Sequence, residues 1–242
     1  MHLSENPTTK ERIFVEAVKL FAREGYKGAT VRDICKAAGT ANATALNYYY
    51  GGKANLYKAV LETIFSENIK RRKEMSEAKL PEDASPEERL RLFVDIMMEV
   101  SFDRGPLTDE FMTIFMREMI SPSHHLDDIV RDYSRADANE LRVFIAEILG
   151  GKAPGYVVRD CSASVAGQIF YYLMFWPLYS RLNPDHPGLA AYRKPLLEHI
   201  MRFSLAGLAE IKSAVEKGLY PPTPALPNPA LPDTALIQKA DS

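Results

Sequence analysis

Apolar residues recur three and four positions apart along nearly the whole chain, and no stretch keeps the alternation of a half-buried strand, so the pattern predicts an all-α protein. A first helix starts after Thr8 and Thr9, either of which can cap it. It carries the stripe Ile13, Ala17, Leu20 and Phe21, widened by Phe14 and Val18, until Gly25 stops it. Thr30 caps a short second helix that turns Val31, Ile34, Cys35 and Ala38 inward and ends at Gly39. A third, ANATALNYYY over 41–50, sets Leu46 and Tyr50 four apart on one face. Gly51 and Gly52 end it, and Lys53 opens a long fourth helix through Leu56, Val60 and Ile64 toward Ala78.

The polar, proline-bearing segment LPEDASP over 80–86 breaks the pattern, and further helices are predicted at 86–102, 108–120, 125–149, 156–181 and 195–216. Beyond them the tail YPPTPALPNPALPDTALIQKADS contains PALP twice and is too rich in proline for a helix. It reads as a solvated terminus or as an arm that packs on a partner subunit. The organisation is therefore a three-helix module over 1–53, a larger helical domain over 54–218 and a Pro-rich tail over 219–242.

Two short helices joined by a tight glycine-containing turn, Ala37-Ala38-Gly39, describe a helix-turn-helix. In such a pair the second helix must show slim or hydrogen-bonding groups to base edges, and Asn42, Thr44 and Asn47 qualify. Tyr48 and Tyr49 can bring hydroxyls to phosphate oxygens, and Lys53 adds a cation at the start of the next helix. Three consecutive helical residues cannot all face inward, so Tyr50 goes to the core and Tyr48 and Tyr49 to the outside.

Charge supports this division. Overall, 30 basic and 32 acidic residues nearly cancel, which removes any argument from global charge. Residues 1–60 nevertheless hold nine Lys and Arg against five acids, a balance of +4, and the remainder is -6. A small module that meets phosphate is thus joined to a larger one that does not.

At these residues the chain resembles the TetR family of bacterial transcriptional regulators. FAREGYKGATVRDICKAAG (21–39) looks like that family's first helix end and second helix, and LNYYYGGKANLY (46–57) like its recognition-helix end and fourth-helix start. Eight residues, Thr40 to Asn47, separate the turn glycine from the aromatic triplet where the family usually has seven; the triplet and Lys53 stay assignable, while the register of Ala41 to Thr44 is open by one position. The resemblance implies phosphate contacts from Thr30, Tyr48, Tyr49 and Lys53, and positions in or beside the major groove for Asn42, Thr44 and Asn47. FMTIFMREMISPSHHLDDIV (111–130) and VAGQIFYYLMFWP (165–177) are similar to the CecR-type C-terminal domain, which implies a small hydrophobic effector and a homodimer.

The residues themselves point the same way. Met97, Met98, Phe102 and Met116 offer adaptable apolar surface. Phe111, Phe115 and Met119 form one stripe, and Tyr171, Tyr172 and Phe175 supply rings and hydroxyls, so an uncharged or weakly polar, partly aromatic ligand is expected between them. The uncharged run Cys161 to Ser180 has the length of a membrane span. It holds Ser162, Ser164, Gln168 and Pro177, with no positive excess at either flank, so it reads as a buried helix whose second covering layer comes from another subunit.

Neither a phosphate loop nor a nucleophile elbow is present, and no enzyme is expected. His124 and His125 beside Asp127 and Asp128 raise a metal reading, but adjacent side chains diverge at a helix start, so no metal and no cofactor are expected. Cys35 and Cys161 read as buried thiols, and the polar N-terminus lacks an export signal, which together predict a cytoplasmic protein. The sequence thus predicts a ligand-responsive regulator, of repressor type in most of that family, whose partners are operator DNA, a hydrophobic effector and a second copy of itself. The rival is an all-α hydrophobic-ligand carrier without specific DNA binding.

Overall fold

The computed structural model describes residues 6–40, 44–77, 83–102 and 107–222. Asn42 and the tail beyond 222 lie outside them. Every regular element among the described residues is helical. The first module contains α1 (Thr9–Gly28), α2 (Val31–Ala37) and α3 (Thr44–Tyr50), followed by α4 (Lys53–Glu77). The second contains α5 (Pro86–Phe102), α6 (Thr108–Ile120), α7 (Leu126–Ile129), α8 (Arg135–Ile148), α9 (Gly155–Leu182) and α10 (Leu189–Glu216).

The start of α1 is fixed by a reciprocal cap: the Glu11 N–H donates to Thr8 Oγ1 at 3.3 Å, and the Thr8 N–H donates to Glu11 Oε2 at 2.7 Å. Gly25 does not end this helix as the sequence predicts. It takes φ +74° and kinks the chain, and one more helical turn follows to Gly28.

The predicted helix over 125–149 is a rod with a five-residue π turn, Val130–Ser134, between α7 and α8. A π turn inserts a residue and rotates the apolar face. Ile129 before it belongs to the N-terminal core, whereas Leu141, Phe144 and Ile145 after it belong to the C-terminal core. The last helix begins at Leu189 rather than 195, with Pro195 inside it. Its extra turns are anchored by Arg193, which donates to Asp95 Oδ1 and, at 3.1 Å, to Glu99 Oε2 on α5.

Two apolar cores result. One joins α1, α2, α3 and the first half of α4 as far as Leu61, and takes in Ile114 from α6 and Ile129 from α7. It therefore runs past Lys53 into α4 and beyond. The other joins α5, α8, α9 and α10 around Leu90, Val94, Ile145, Val157 and Ile200. Both cysteines are buried thiols, one in each core. Among the described residues no helix is long and apolar enough to cross a membrane. After α10, Tyr220 packs against the second core, and the Tyr156 hydroxyl donates to the Pro221 carbonyl at 2.7 Å.

Candidate nucleic-acid interface

The second helix is held at both ends. At its start the Asp33 N–H donates to Thr30 Oγ1 at 3.1 Å while the Thr30 hydroxyl donates to Asp33 Oδ2 at 2.6 Å. At its end Gly39 takes φ +68°, the Thr40 hydroxyl donates to the Cys35 carbonyl at 3.1 Å, and Arg12 Nε reaches from α1 to the Ala38 carbonyl at 3.1 Å. Thr30 is thus exposed and engaged as a cap, with its hydroxyl at the N-terminus of α2.

The third helix rests on one buried side chain, Leu46, and turns Thr44, Asn47, Tyr48 and Tyr49 outward. Tyr48 is 82% exposed, a position with no packing role to explain so large a ring. It meets Tyr49 edge-on with centroids 5.0 Å apart. Tyr50 faces the opposite way: its hydroxyl donates to the Lys10 carbonyl at 3.0 Å, and burial pushes its phenol up to about 12.

Beyond the turn, Lys53 stands at the N-terminus of α4 with its Nζ 4.6 Å from the centre of the Tyr26 ring. Tyr26 packs in turn on Tyr57 at 4.8 Å and on Phe21 at 6.2 Å. Partial burial lowers the Lys53 ammonium from its ordinary value. Nothing in the sequence pattern pairs Tyr26 with Lys53, since the two lie on separate helices.

Between the cores, α6 packs on α1 and α4. It reaches α9 through a row of rings: Phe65 of α4 lies 5.8 Å from Phe115, and Phe115 stacks on Phe170 at 6.5 Å with the planes 9° apart. Phe111 packs against the N-terminal core and Met119 is 41% exposed. The α9 residues expected opposite them point elsewhere. Tyr171 and Phe175 stack on each other at 5.4 Å on an exposed face, and Tyr172 packs toward Tyr179 at 5.2 Å. Neighbouring helical positions diverge by about 100°, so Phe170 meeting α6 carries Tyr171 away from it. Phe65 and Phe170 are the side chains that the sequence pattern did not single out.

A helix-turn-helix module whose outer helix is polar, sharing its core with an all-helical second domain, is the architecture of a helix-turn-helix regulator. Residues 13–60 match the tetR family of bacterial regulatory proteins, and residues 86–208 match the C-terminal domain of the HTH-type transcriptional dual regulator CecR. The chain belongs to the TetR family, with a CecR-type C-terminal domain.

The chain is 34% identical over 118 residues to the HTH-type transcriptional repressor NicS of Pseudomonas putida, a match covering 48% of this chain and 51% of that protein. It is 31% identical over 90 residues to the probable HTH-type transcriptional regulator YttP of Bacillus subtilis, covering 37% of this chain and 42% of that one. The matches thus span about half or less of the length of these curated relatives. Among solved structures, the TetR-family regulator PfmR of Thermus thermophilus superposes with a TM-score of 0.55 at 21% identity, over 79% of this chain and 97% of that one. FadR of Bacillus subtilis, solved with stearoyl-CoA, gives 0.56 at 21% identity, over 78% and 96%. At that identity the likeness is one of fold.

Proposed function

We propose that the protein is a ligand-responsive transcriptional regulator that works in the cytoplasm as a homodimer and represses by occupying an operator in double-stranded DNA. The observation that carries this reading is the outer face of α3: Thr44, Asn47, Tyr48 and Tyr49 stand in solvent over a single buried anchor. Asn47 and Thr44 would meet base edges in the major groove, with Asn42 beside them; Tyr48, Tyr49, Lys53 and Thr30 would hold phosphates. Lys53 fits that part because its helix N-terminus adds a dipole and the Tyr26 ring positions its ammonium.

The effector would lie between α6 and α9, around the Phe65, Phe115 and Phe170 rings, with Phe111 and Met119 at its α6 side, while Tyr172 is turned toward Tyr179. An uncharged or weakly polar, partly aromatic molecule suits those rings. Tyr171 and Phe175 belong instead to the exposed apolar face of α9, the natural seat of a second copy in a four-helix bundle with α10. Ligand and DNA would be linked: a molecule that prefers the conformation with wrongly spaced recognition helices lowers operator affinity by its differential binding energy.

Selection of bound fragments from genomic DNA by the purified chain tests the reading. A recurrent palindromic site, bound with steep salt dependence, is the expected result. Retention of no sequence above random background, with hydrophobic ligands still bound, would make the protein a carrier and overturn it.

A further inference from the structure

Where α6 runs into α7, the chain buries a polar cluster against α4. Glu118 is only 3% exposed; its Oε1 accepts the Tyr57 hydroxyl at 2.6 Å, and its Oε2 accepts both the N–H and the hydroxyl of Ser123 at 3.0 Å. Ser123 Oγ in turn accepts the His125 N–H at 3.3 Å. One carboxylate thus straps the turn after α6 to the fourth helix.

His125 sits inside this strap, 8% exposed, and its Nε2 is buried with no hydrogen-bond partner among the described residues. Its ring lies 3.9 Å from that of His124 and 6.4 Å from that of Tyr57. A neutral imidazole can leave that nitrogen idle, whereas an imidazolium puts a donor there that needs an acceptor. The surrounding charges do not supply one. From α4 come Tyr57 and Lys58, and from α6 come Glu118, whose oxygens already take three donors, and Arg117. From the turn and α7 come His124 and Asp128, the latter already shared between Lys58 at 3.7 Å and Arg131 at 2.6 Å. Burial, His124 and Lys58 all lower the affinity of His125 for a proton, and they outweigh the pull of Glu118 and Asp128.

We propose that this turn is an acid-sensitive strap, holding the end of α6 against α4 while His125 is neutral and letting go when His125 takes a proton. Well above the ordinary histidine value of about 6.5, the strapped and released forms are both neutral and the strap has its full strength. Below it the released form binds a proton that the strapped form refuses. The strapped-to-released ratio then falls by about tenfold per pH unit until the lower value of the strapped form is reached. Acid therefore loosens the hold of the second domain on the DNA module without any ligand.

The test uses the full chain and follows amide hydrogen exchange between pH 7.5 and 5.5, corrected for the intrinsic pH dependence of exchange, together with an NMR titration of the histidine rings. Relative to amides of residues 200–208 in α10, amides of residues 118–126 are expected to lose protection by about tenfold per unit below pH 6.5. His125→Phe removes that extra loss, and His124→Phe retains it. If His125→Phe does not fold, His125→Gln serves, and in the unaltered protein one histidine signal must titrate below 6.5. Equal protection of the turn at both pH values, or the same acid loss in a variant that cannot titrate at 125, overturns the proposal.

Discussion

The guanidinium of Arg117 occupies the space that a side chain at Gly25 would need: Nη1 stands 3.0 Å from where a Cβ would lie, and Nη2 donates to the Arg23 carbonyl at 3.3 Å. Gly25 also holds φ +74° and ψ 172°, a region essentially restricted to glycine. Gly25→Ala should therefore cost about 1–3 kcal/mol. Urea unfolding reads the loss, and a midpoint unchanged from the parent protein would show that the kink carries no strain.

Lys53→Ala and Tyr48→Phe should weaken DNA binding about equally for all sequences, because phosphate contacts position a protein without reading bases. Tyr48 is exposed enough that its variant leaves the fold intact. Losing the lysine should also lower the salt slope by about one unit per contact. Asn47→Ala is the contrasting case, with a loss of about 1–3 kcal/mol at a single base position. Anisotropy titrations on the selected operator and on single-base variants separate the two kinds of effect; a changed base preference in Lys53→Ala would remove its phosphate assignment.

A panel of hydrophobic aromatic compounds should raise the melting temperature, by about 2.7 kcal/mol of stability at a hundred times the dissociation constant. Phe115→Ala takes the middle ring from the row that joins α4, α6 and α9, and should abolish those shifts. Hits that survive this substitution would place the ligand elsewhere, and a response confined to dianionic metabolites would contradict the chemistry proposed for the rings.

Gly167 on α9 has no neighbouring atom within 4 Å of where a Cβ would lie, so a single protomer has room for an arginine there. Gly167→Arg should fold normally and run as a monomer in light scattering, because the charge would be desolvated in a close contact between copies. A dimer of parental mass would exclude this face of α9 from the interface.

The helices were legible because each needs a buried stripe, and stripes such as Ile13, Ala17 and Phe21 leave a period in the sequence. Other features leave no such trace. The π turn over 130–134 is a change of backbone register, invisible as long as polar residues such as Arg131 and Asp132 occupy it. The rotation of α9 was equally hidden: with no charge between Cys161 and Ser180, nothing marks a wet face, and Phe170 and Tyr171 read alike. Glu118 could have been noticed, since it follows the buried Ile114 by four residues and shares its inward face. Its partner Tyr57, 61 residues upstream, could not.

Ile114 and Ile129 are contributed by the second domain and completed inside the first one's core. Each buries an aliphatic side chain of the kind that contributes about 1.5–3 kcal/mol, so a fragment cut after α4 would leave two unfilled sockets in the core that holds Phe21 and Leu61. The three-helix head is therefore not a transplantable cassette. Grafted onto another regulator's body, it would need that body to bring matching isoleucines, and recombination between relatives at the apparent seam would yield chimaeras that fail to fold before they fail to bind.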